Sequence, residues 1–186
     1  MKVLSIFAAL ALSAPAFADN YKIDAAHTPI VYKISHLGFS HSYGMIPGVE
    51  GKFTLDEKSP EKSSLEFTLK MDSIYTADKK RDEHLKSPDF FNVKQFPTAT
   101  FKSKSVKKAG DKEYEVTGDM TLHGVTKPVT FTFHHLQTGK DPWGNTRAGG
   151  DLSMKPLKRS DFGMNFMAGA VGDEVELMIS VEGVKI

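Results

Sequence analysis

Seven histidines and no cysteine among 186 residues restrict any metal site to imidazole and carboxylate ligands. The pool is His27, His36, His41, His84, His123, His134 and His135, and its spacing does not assemble a site. There is no His-Glu-x-x-His, and His134 and His135 are neighbours on an expected strand end, so their rings point to opposite faces. Capping and turn hydrogen bonds are the expected work of these side chains; no metal and no cofactor are expected. The missing cysteine also removes thiol nucleophiles and disulfide staples, so stability must come from packing. No Gly-x-Ser-x-Gly elbow, phosphate-cradling glycine loop or dinucleotide fingerprint occurs. Asp173-Glu174 stands just before a strand and reads as a turn rather than an acid and base pair. No catalytic residue is assigned, and the chain does not read as an enzyme.

Arg81-Asp82 and Arg159-x-Asp161 place charges of both signs in two irregular segments. Either arginine has the donors to receive an anionic headgroup such as a diphosphate. The alternative is a pair of local ion pairs that pin a helix and a loop to the rim of the fold. Lys102, Lys104, Lys107, Lys108 and Lys112 flank a hairpin, where lysine guards an exposed strand edge; contact with an anionic lipid surface is the other reading. The formal charge of +1 falls to about zero once Lys2 is removed, so no nucleic-acid partner is expected.

The remaining chemistry is apolar, and period-two alternation organises it. Tyr32 and Ile34 share a face with Ile30; Phe53 falls on one with Val49, Gly51 and Leu55; Phe67 and Leu69 follow Leu65 and precede Met71. Phe101 alternates with Ala99 and Ser103; Tyr114, Val116 and Met120 with Gly118 and Leu122; Phe131 and Phe133 with Val129. Leu152 and Met154 follow Ala148 and Gly150, and Leu177 and Ile179 lie between Val175 and Val181. These make eight candidate strands. Together with Phe162 and Phe166 from a Phe-, Met- and Gly-rich segment at 157–170, expected near an opening, these large side chains form the candidate lining. A lining of this kind accepts a hydrocarbon chain, because each buried methylene is worth about 0.8 kcal/mol. A short stretch of such a chain exceeds ~8 kcal/mol before ordering costs. The competing reading is a barrel filled by its own side chains.

Turn signals separate the strands: residues 57–61 around Pro60, Ala109-Gly110-Asp111-Lys112, His123-Gly124, and Asp141 to Asn145. Most neighbours are therefore antiparallel hairpins. The long interruption at 77–96 lacks alternation and predicts a short inserted helix, about 77–93, with Ser87-Pro88 as N-cap and first helical position and a second turn at 88–92. Eight antiparallel strands with one apolar face close as a barrel or pack as a sandwich. Large rings alternating with Gly51, Gly118 and Gly150 favour the barrel, since a strand glycine marks a bend or a close approach.

Met1-Lys2, an uncharged apolar run from Val3 to Ala14, and Ala16-Phe17-Ala18 read as a cleaved signal peptide over 1–18. The run is too short to span a bilayer as a helix, so no stable membrane insertion is expected. One domain, 19–186, follows, and its expected location is the periplasm.

The chain resembles the YceI family of periplasmic, lipocalin-like proteins. The likeness runs in order through Tyr21 to His27, Val31 to Gly38, Arg81 to Leu85, Ser87 to Asn92, Phe96 to Phe101, Gly118 to Val129, Arg159 to Met164 and Val171 to Val175. The resemblance implies a lipocalin-like antiparallel eight-stranded β-barrel, often dimeric, with a tunnel for a long-chain isoprenoid or acyl lipid, and it supplies no catalytic residues. It favours the hollow barrel over the filled one. On it rests the expectation of a carrier for a polyprenyl or quinone-type lipid, with a fatty acid or fatty amide binder in stress protection as the alternative.

Overall fold

The structure, a computed structural model, describes residues 18–186, so the expected leader lies outside the described residues apart from Ala18. The strands are β1 (Asp19–Ile23), β2 (Ile30–His36), β3 (Ser40–Ile46), β4 (Val49–Leu55), β5 (Ser64–Lys70), β6 (Thr98–Gly110), β7 (Glu113–Leu122), β8 (Val125–Lys140), β9 (Thr146–Ser153), the two-residue β10 (Leu157–Lys158) and β11 (Val171–Lys185). One helix, α1 (Lys79–Lys86), is inserted between β5 and β6.

Eight strands close a ring in the order β1-β4-β5-β6-β7-β8-β9-β11 and back to β1. Every strand pair in it is antiparallel. The expected eight-stranded barrel is therefore present, with one exchange of membership. The alternating segment at β2 is not in that ring; β1 takes its place, and β2 with β3 forms a hairpin on the other half of β11. At fifteen residues β11 is long enough to serve both: its first part pairs with β2 (Val175 with Ile34, Ile179 with Ile30) and its end with β1 (Gly183 with Ile23). The hairpin extends the wall at one end of the barrel. There β3 is closed against the chain after β5 by reciprocal backbone bonds between Met45 and Tyr75, 2.8 and 2.9 Å.

The turns follow their residue types. His123 and Gly124 join β7 to β8 with φ of 52° and 75°, the two-residue arrangement that matches strand twist. A side chain at Gly124 would start 2.5 Å from the Phe96 ring. Asp141 holds the β8–β9 turn by accepting from the backbone of Trp143 and Asn145 at 3.0 and 2.8 Å.

The helix begins earlier than Ser87. Asp78 is its N-cap and accepts from the Arg81 amide at 3.0 Å, and Ser87 is its C-cap. Ser87 nonetheless nucleates the turn after it, its backbone oxygen accepting from Phe90 and Asn92. Eight residues are too few for an isolated helix, so tertiary bonds hold α1. Buried Asp82 accepts from the Thr76 amide and hydroxyl at 2.8 and 2.6 Å, and Arg81 donates to the Thr76 hydroxyl and carbonyl at 2.9 and 2.7 Å.

Candidate functional site

The barrel is filled at one end and hollow at the other. At the end closed by β1, Tyr21 and Phe53 stack with centroids 4.9 Å apart. Val106, Tyr114, Val116, Ala148 and Val181 are buried around them, and a residual cavity of about 40 Å³ remains. Toward the β2–β3 end the walls stand apart around a main cavity of about 330 Å³. That is roughly twice the ~150 Å³ at which an engineered apolar cavity stays dry and admits benzene, and it falls within the range of ligand pockets.

Each candidate lining residue has a definite place. Tyr32, Ile34, Phe67, Leu69, Phe101, Met120, Phe131, Leu152, Met154, Phe162, Leu177 and Ile179 line the main cavity. Phe53, Tyr114, Val116 and Phe133 instead border the small cavity at the filled end, where Phe131 and Leu152 also appear. Phe166 lines neither; its half-exposed ring meets His84 and Phe90 edge-on, 5.6 and 5.4 Å between centroids. The wall also includes side chains that alternation does not mark: Leu85 from α1, Phe90 and Phe91 from the turn after it, and Met164 and Met167 from the loop before β11.

Cross-strand packing makes the room. Phe67 and Phe101 are register partners stacked at 5.5 Å, and Phe101 meets Phe131 at 5.3 Å. Tyr32 faces Gly44 on β3, where an added side-chain carbon would lie 2.4 Å from the phenol oxygen. Glycine there is what lets the ring lie against the wall.

Polarity is confined to one end. The exposed lining residues are His36, Arg81, His84 and Met167, so the cavity meets solvent between α1, the β2–β3 turn and the loop 163–170. Burial pushes the Tyr32 phenol up to about 12, with Arg81 nearby opposing the shift and Asp82 adding to it; it stays a neutral donor. The two arginines differ. Arg159 is 7% exposed and is taken up by carbonyls: Nε donates to Gly172 at 2.8 Å, Nη1 to Met164 and Phe166 at 2.7 and 2.8 Å, and Nη2 to Val171 at 3.0 Å. It therefore pins the loop before β11. Arg81 reaches Thr76 through Nε and Nη2 and is itself exposed at the mouth, so it is the arginine placed to meet a headgroup.

Five of the seven histidines serve local bonds, His135 with the Thr138 hydroxyl at 2.9 Å among them. His27 meets Asp24 at 2.9 Å, His84 meets Asp89 at 2.9 Å, His123 meets the Phe162 carbonyl at 3.1 Å, and His134 meets Glu113 at 3.2 Å. Among the described residues, Asp24, His27 and Glu182 have ligand-type atoms within 4.8 Å of one another. Arg147 already occupies that cluster, its Nη1 lying 2.8 Å from Asp24 and 2.5 Å from Glu182.

A closed antiparallel barrel, half filled and half hollow, with an apolar cavity opening at a polar mouth, is built as a container for an apolar molecule. Comparison with known proteins agrees at the level of family. Residues 21–183 match the model of the YceI-like domain. Protein YceI of Escherichia coli O157:H7 is 46% identical over 182 residues, covering 96% of this chain and 94% of its own length. The chain belongs to the YceI family. Among solved structures, the Campylobacter jejuni YCEI protein has a TM-score of 0.73 at 28% identity, covering all of this chain and 99% of its own. A polyisoprenoid binding domain from Saccharophagus degradans, implicated in plant cell wall breakdown, has a TM-score of 0.64 at 14% identity, covering 89% and 98%; at that identity the likeness is one of fold.

Proposed function

We propose that this chain binds a long-chain isoprenoid lipid of polyprenyl or quinone type and carries it through the periplasm. The tail lies in the main cavity and the head at the mouth beside Arg81 and Tyr32. The observation that carries the reading is the division of the cavity: an apolar interior of about 330 Å³ whose basic lining residues, His36, Arg81, His84 and Arg159, gather where β2, α1 and the loop before β11 meet. An interior without charge does not hold a polar substrate, whereas each methylene buried there contributes about 0.8 kcal/mol. The polyisoprenoid that gives the Saccharophagus degradans domain its description supports the choice of an isoprenoid, and the apolar leader at Met1 to Ala18 supports the compartment. No step of this reading needs a reacting group.

Equilibrium binding of geranylgeraniol, set against a fatty acid of similar length, tests it. Tighter binding of the prenol is expected. Preference for the acid would move the assignment to acyl lipids, and binding of neither would remove the carrier role.

A further inference from the structure

Three segments that touch one another border the cavity mouth. The β2–β3 turn and the loop 163–170 are joined by the Leu37 amide, which donates to the Ala170 carbonyl at 2.7 Å. The same loop meets α1 and the turn after it where the Phe166 ring packs against His84 and Phe90.

From this rim large apolar side chains stand in solvent: Phe39 is 90% exposed, Leu37 51%, Met167 45% and Phe166 40%. Met167 also lines the cavity, so the outer patch and the apolar interior form one continuous surface. Contiguous exposed apolar patches mark a binding surface, and this one surrounds the way in. Leu37 and Met167 each hold φ at 53°, a backbone conformation that residues with side chains populate sparsely.

The charges on the rim are confined to one flank. The stretches His36–His41 and 163–170 contain no Asp, Glu, Lys or Arg. Beside them α1 and its flanking residues carry Lys79, Lys80, Arg81 and Lys86 against Asp78, Asp82, Glu83 and Asp89; Asp82 is turned inward to Thr76, Lys86 pairs with Glu83 and His84 with Asp89. The face is apolar and uncharged at its tips and mixed in charge at its flank.

We propose that this rim is a docking surface for a lipid bilayer. Phe39 and Leu37 enter the headgroup layer, the basic side chains of α1 rest among the lipid phosphates, and the mouth faces the membrane that supplies or receives the ligand. The inference rests on the lipid-binding reading and adds the partner. Attachment of this kind buries apolar side chains about 5–10 Å into the boundary of headgroups and acyl chains. A prenyl chain crossing from bilayer to barrel then avoids water for most of its length.

The test uses the mature chain, sedimentation with vesicles of equimolar phosphatidylcholine and phosphatidylglycerol, uptake of geranylgeraniol from those vesicles, and binding of farnesol from solution. Neither Leu37 nor Phe39 lines the cavity, so the double variant Leu37→Ser/Phe39→Ser binds farnesol as the wild type does. Its vesicle partitioning and its uptake of vesicle-borne geranylgeraniol fall about tenfold or more. Phe39→Ser alone, which leaves the left-handed Leu37 turn intact, shows the same direction. A wild type that binds farnesol but does not sediment with vesicles overturns the docking surface and leaves the lipid-binding reading standing. Equal sedimentation of wild type and both variants overturns it in the same way. A wild type that binds no farnesol overturns both.

Discussion

Phe131 and Leu152, diagonal neighbours on β8 and β9, each border both cavities of the barrel and so form the partition between its hollow and filled ends. The partition sets how far a ligand tail can reach. Phe131→Ala is expected to merge the two spaces, at a cost of about 3–5 kcal/mol and a fall in Tm on the order of 10 °C. The same variant gains affinity for longer prenols relative to farnesol. A chain-length series measured by competition reads the shift, and an unchanged preference would place the end of the tail elsewhere.

The two arginines of the mouth predict opposite phenotypes. Arg81→Ala lowers affinity for a prenyl diphosphate by about tenfold, ~1.4 kcal/mol, while leaving the parent prenol nearly unaffected, and the loss of its two bonds to Thr76 lowers Tm less than Arg159→Ala does. Arg159→Ala strands the carbonyls of Met164, Phe166, Val171 and Gly172 that its guanidinium satisfies, and destabilises the fold by about 3–5 kcal/mol. Thermal melts beside titrations with both ligands check the pair. Equal loss of prenol and diphosphate in Arg81→Ala would remove the headgroup role.

Acid sensitivity follows from Arg147, which donates to Asp24, Asp141 and Glu182. Its guanidinium first, and then the Asn145 side chain, hold the Asp141 carboxyl down to about 2. A carboxyl whose folded value lies below its unfolded one, near 4, gives stability that is complete above about pH 4 and drains away as pH falls toward about 2. The gap in Tm between wild type and Arg147→Gln is therefore widest at neutral pH and closes across that acid window. Melts followed by circular dichroism through the window would contradict the assignment if the gap stayed constant or widened.

Tyr32 needs the space over Gly44. Gly44→Ala sets a carbon 2.4 Å from the phenol oxygen and drives the ring into the cavity, costing about 1–3 kcal/mol. Prenol affinity falls as the space is lost. Restoring affinity with the double change Gly44→Ala/Tyr32→Leu distinguishes this steric cause from a general loss of fold, and failure of that rescue would contradict it.

Most of the barrel was legible because its strands are wet on one face and dry on the other: Leu65, Phe67 and Leu69 alternate with Glu66, Thr68 and Lys70 on β5. Besides the two-residue β10, two strands escaped for physical reasons. In β1, five residues carry only two inward apolar positions, Tyr21 and Ile23, too few to show a period. In β3 the pattern is masked, since Ser42 and Gly44 face inward while Tyr43 and Met45 face out; Gly44 is small because the Tyr32 ring lies over it. The site was legible by face but not by height. Alternation shows that Phe53 and Phe67 both point inward, and nothing local shows that one stacks on Tyr21 at the filled end while the other borders the hollow. Leu85, Phe90 and Phe91 come from segments with no strand period at all. Arg81 and Arg159 look alike in sequence because the partners that separate them are mostly backbone carbonyls, supplied by loop conformation rather than by residue type.

The most direct test of the central claim is native mass spectrometry of the protein purified without detergent from the cells that make it, followed by organic extraction of whatever it holds. The account predicts a one-to-one complex that releases a neutral or phosphorylated isoprenoid on extraction. Protein that is bare by both measurements, and that stays bare when supplied with prenols, would contradict it.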